Sequence, residues 1–129
     1  MSLRSLKNLR LCEENTDETV RRLSASAISE KSDVEKVQIL RRLRGVNWSF
    51  ASVLLHFIHE NQYPIIDFRA LWALGASYVR ENKQGTIYFT EDRWIEYVTF
   101  SRSLAKEAGV TMRDLDLSLW AFSKYGEKK

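Results

Sequence analysis

Apolar residues recur at helical spacing along most of the chain. After Thr16-Asp17-Glu18, a hydroxyl cap with two acids behind it, Val20, Leu23, Ala27 and Ile28 follow one face and predict a helix over 16–30. Ser32 stands three residues before Glu35 in a capping-box pair; Val34, Val37, Leu40 and Leu43 then mark a second helix ending near Gly45. Between 48 and 59 the pattern changes. Phe50, Ala51, Val53, Leu54, Leu55, Phe57 and Ile58 are apolar almost all round, which predicts a central, buried helix.

Pro64 pushes Tyr63 out of the helical region, so 61–64 reads as a turn, with Ile65-Ile66 extended behind it. Asp67 suits the cap of a helix over 67–75, and the run around 81–90 is the one β-prone region, a loop or small hairpin. Thr90, with Glu91 and Asp92, starts a helix whose stripe of Trp94, Tyr97, Val98, Leu104, Ala105 and Ala108 stops at Gly109. Thr111 caps a last helix carrying Leu115, Leu119, Trp120 and Phe122. Five or six helices with short connections predict an all-α, orthogonal helical bundle containing a helix-hairpin-helix motif, in a single domain over 1–129.

Composition narrows the classes of function. With 129 residues, one proline and five glycines, the chain has the length of one ordinary domain and no low-complexity tract. The longest apolar stretch, 50–58, falls far below the roughly 18–20 residues of a membrane-spanning helix, so no membrane association is expected. The first residues lack the apolar block of a secretory signal, and Cys12 is the only cysteine, so a reduced cytoplasmic location is expected. One cysteine also leaves no ligand set for an iron–sulfur cluster or a cysteine-bound zinc. His56 and His59 lie three apart beside Glu60, but no third ligand is placed with them, and neither a metal nor a cofactor is expected.

The net charge of +3 does not by itself predict a nucleic-acid partner; its distribution is more informative. From Lys36 to His59 there are four cations, Lys36, Arg41, Arg42 and Arg44, and no acid. They surround the sequence Leu43-Arg44-Gly45-Val46-Asn47-Trp48-Ser49, where a helix, a tight glycine-containing connection and a second helix bring backbone N–H groups to one point. That arrangement suits a phosphate oxygen, and Gly45 and Asn47 tolerate the left-handed backbone it requires. Candidate DNA contacts are therefore Arg41, Arg42, Arg44, Gly45, Val46, Asn47, Trp48 and Ser49, with Arg69 as a further cation. Trp48 is the tryptophan placed to stack on a base; Trp72, Trp94 and Trp120 lie on apolar stripes and read as core.

The block 34–59, with Tyr63-Pro64-Ile65-Ile66-Asp67 behind it, resembles the helix-hairpin-helix DNA glycosylase superfamily. Leu43, Gly45, Val46 and Ala51 match the hairpin pattern, while Arg44 stands at its proline and Asn47 at its second glycine. The resemblance covers 34–75. It implies that Asp67 stabilises the oxocarbenium-like sugar of a flipped nucleotide and orients a water. Ser49 stands where bifunctional members carry a Schiff-base lysine, as in the monofunctional adenine-type members, so lyase activity is not implied. The chain is short for the two-walled cleft of such enzymes. Two alternatives thus stand beside the glycosylase: a non-catalytic DNA- or partner-binding module, with a protein partner supplying a second wall, and a structural helical domain of a larger assembly.

Overall fold

The structure, a computed structural model, describes residues 3–66 and 89–126. The described residues are all-α. In chain order they form α1 (Leu3–Glu13), α2 (Asp17–Ser29), α3 (Asp33–Arg41), α4 (Trp48–Ile58), α5 (Glu91–Ala108) and α6 (Met112–Gly126). The expected helix over 67–75 and most of the β-prone run lie outside the described residues. The chain divides into two compact units, Met1–Ala51 and Ser52–Lys129.

In the first unit, α2 and α3 pack on each other through buried Leu23 and Ala27 on one side and Val37, Ile39 and Leu40 on the other. Their ends follow the caps in the sequence. Thr16 accepts the Thr19 N–H, and Ser32 accepts the Glu35 N–H at 3.3 Å, each relieving an orphan donor of a first turn. The reciprocal half of the capping box is made differently: the Ser32 N–H donates to Glu30 rather than depending on the side chain of Glu35. Helix α1 is not among the helices expected from the sequence pattern.

Lys36 is a correction to the basic stretch. Its side chain is buried, and its ammonium donates to the carbonyls of Ala27 (2.8 Å) and Ile28 (3.1 Å), the last turn of α2. A cation on the negative end of a helix satisfies two orphan acceptors at once, and it removes Lys36 from any solvent-facing patch.

In the second unit the segment 62–66 has no strand partner among the described residues, and side chains take the place of a ladder. Arg102 Nε donates to the Gln62 carbonyl (2.8 Å), Tyr97 OH to the Ile65 carbonyl (2.6 Å), and the Ile66 N–H to Ser52 Oγ (2.8 Å). The ring of Tyr63 lies parallel to that of Trp94, with centroids 6.0 Å apart. Helix α5 begins at the Thr90 cap and ends at Gly109, whose φ of 68° lets its own N–H reach Lys106 and the Val110 N–H reach Ala105. This Schellman closure needs a left-handed residue, which glycine supplies without strain. Thr111 then caps α6, and Ala105, Met112 and Leu115 form a small core with Leu104 and Leu119.

Two expectations of burial are not met. Helix α4 buries Ala51, Ser52, Leu55 and His56 but leaves Phe57 62% exposed, so it is one-sided rather than buried all round. Trp94 is fully buried, as expected, whereas Trp120 is 42% and Phe122 62% exposed. Trp72 lies outside the described residues.

Candidate nucleic-acid interface

The connection 42–47 leaves α3 through two tight turns, Arg42 N–H to Ile39 and Leu43 N–H to Leu40, and closes with the Val46 N–H on the Leu43 carbonyl. Leu43 and Val46 point inward and are buried. Between them Gly45 has φ 82°, the left-handed conformation that a side chain opposes. The alternation of buried Leu43 and Val46 with exposed Arg42, Arg44 and Asn47 makes the connection an apolar keel with a polar outer edge.

Asn47 caps α4. Its Oδ1 accepts the Phe50 N–H at 2.8 Å and its carbonyl accepts the Ala51 N–H at 2.9 Å. Among the described residues, the N–H groups of Gly45 and Asn47 donate to no protein acceptor.

The arginines differ from one another. Arg41 is half-buried, hydrogen-bonded to Gln38 Oε1 at 2.7 Å, and its guanidinium lies 4.3 Å from the centre of the Trp48 ring. The stack holds both groups beside the start of α4. Arg42 is exposed. Arg44 is exposed but engaged: Nε meets Glu14 Oε2 at 2.9 Å, and the Arg44 main chain is bound on both sides by the Asn15 amide, N–H to Oδ1 at 2.9 Å and carbonyl from Nδ2 at 3.0 Å. Ser49 is half-buried in the first turn of α4. Arg41, Arg42, Arg44 and Trp48 thus share one connection, while Asp67 and Arg69 lie outside the described residues.

Sequence reasoning missed Glu14 and Asn15. Their signal is faint: a polar break, Glu14-Asn15-Thr16, between two helices, with partners 29 residues further on. No cluster of three or more His, Cys, Asp or Glu that could hold a metal ion occurs among the described residues. His56 donates Nδ1–H to the Tyr63 carbonyl at 2.8 Å, and His59 lies tilted against the Tyr63 ring.

No helix among the described residues is long and apolar enough to cross a membrane. No protein-family model matches the chain, and no curated protein or solved structure matches it either.

Proposed function

We propose that this chain is a DNA-binding protein of the helix-hairpin-helix glycosylase type, holding the phosphate backbone at the 42–47 connection. The observation that supports the reading is the left-handed Gly45 between buried Leu43 and Val46, on a connection that also carries the exposed Arg42 and Arg44. Main-chain donors fix one phosphate, and Arg42 and Arg44 add sequence-independent attraction. The Arg41–Trp48 pair offers an aromatic edge beside them.

The finer proposal is hydrolysis of an N-glycosidic bond by Asp67, which rests on the resemblance over 34–75. In that reaction the C1′–N bond breaks, a water oriented by the carboxylate attacks C1′, and the base leaves with a proton. Ile66, the residue before Asp67 in the sequence, donates its N–H to Ser52 Oγ.

The test is fluorescence anisotropy on a short duplex across a salt series. Affinity is expected to fall steeply with salt, and Arg42→Glu should weaken binding and flatten the salt slope by about one unit per lost phosphate contact. Absence of binding at low salt would overturn the reading. Base release from a panel of damaged duplexes, lost in Asp67→Asn with binding retained, selects the glycosylase; an unchanged Asp67→Asn variant leaves the binding module.

A further inference from the structure

We draw no further inference here: the strongest candidate, the exposed apolar surface patch of Phe57 and Ile58 on α4, carries none because nothing in the structure shows what covers it.

Discussion

The amide of Asn15 closes on the main chain of Arg44: Oδ1 accepts the Arg44 N–H at 2.9 Å and Nδ2 donates to the Arg44 carbonyl at 3.0 Å. The same Nδ2 also donates to the Cys12 carbonyl at 2.9 Å, at the end of α1. A half-buried side chain thus joins the α1–α2 turn to the connection that carries the candidate phosphate site. Asn15→Ala is expected to lower unfolding free energy by about 1 kcal/mol, near the low end for such bonds because the exposed Arg44 groups regain water. Urea denaturation measures it. Asn15→Asp keeps the acceptor but sets a carboxylate oxygen against the Arg44 and Cys12 carbonyls, so it should cost at least as much as alanine.

Glu14 sets a second condition on Arg44. Its carboxylate occupies Nε at 2.9 Å, so a phosphate approaching Arg44 competes with an internal anion. Both side chains are more than half exposed, so the pair contributes little to folding, but its effect on binding is direct. Glu14→Gln is expected to tighten duplex binding by about two- to fivefold at low salt, with the gain shrinking as salt screens the charge. In an Arg44→Gln background the same substitution should change affinity much less. An equal gain in both backgrounds would mean that Glu14 acts through its general field and not through Arg44.

Gly45, at φ 82°, is the position where the connection depends on backbone freedom. Gly45→Ala should cost about 1 kcal/mol or somewhat more, since a Cβ opposes the left-handed conformation. Gly45→Asn should cost less, because asparagine visits that region more readily. Duplex affinity should fall in the same order if the Gly45 and Asn47 N–H groups hold the phosphate. Unchanged affinity in the alanine variant, with the stability loss present, would separate the turn from the binding.

What the sequence made legible was what local chemistry decides. Thr16, Ser32, Thr90 and Thr111 each start a helix because a hydroxyl satisfies an N–H three residues on, and Gly109 ends α5 because only the next residues are involved. The outward arginines of the connection were legible for the same reason. The ties that depend on distant partners were not: Asn15 to Arg44, Tyr97 to Ile65, and Arg102 to Gln62 join residues between 29 and 40 positions apart. The exposure of Phe57 was hidden because an apolar run cannot tell which of its faces finds a partner. Asp67 and Arg69, which the resemblance makes central, lie outside the described residues.

Tyr97 tests how the segment before position 67 is held. Its ring is buried and its hydroxyl gives the Ile65 carbonyl a 2.6 Å bond. Tyr97→Phe preserves the ring packing against Phe89, 6.0 Å away edge-on, and removes only the donor. A loss of about 1–2 kcal/mol is expected, because a part-buried carbonyl is left without that partner. If base release occurs, the rate should fall more than duplex affinity does, as the removed bond lies next to the Asp67 segment and not at the connection.

Lys36 offers the sharpest contrast between a buried and an exposed cation. The sequence counts it with Arg41, Arg42 and Arg44, but its ammonium is spent on the Ala27 and Ile28 carbonyls at the end of α2. Lys36→Met keeps most of the aliphatic stem and removes the donors, so the change isolates the cap from the packing. Two charge-assisted bonds to helix-end carbonyls are lost, and a decrease of about 2–3 kcal/mol in unfolding free energy is expected. Because the group is shielded from solvent, the loss should persist in about 1 M salt, where exposed pairs such as Arg44 with Glu14 are screened away. Duplex affinity of the folded variant should stay within about twofold of the parent, since the charge removed faces the interior. A large drop in affinity with folding intact would return Lys36 to the binding surface.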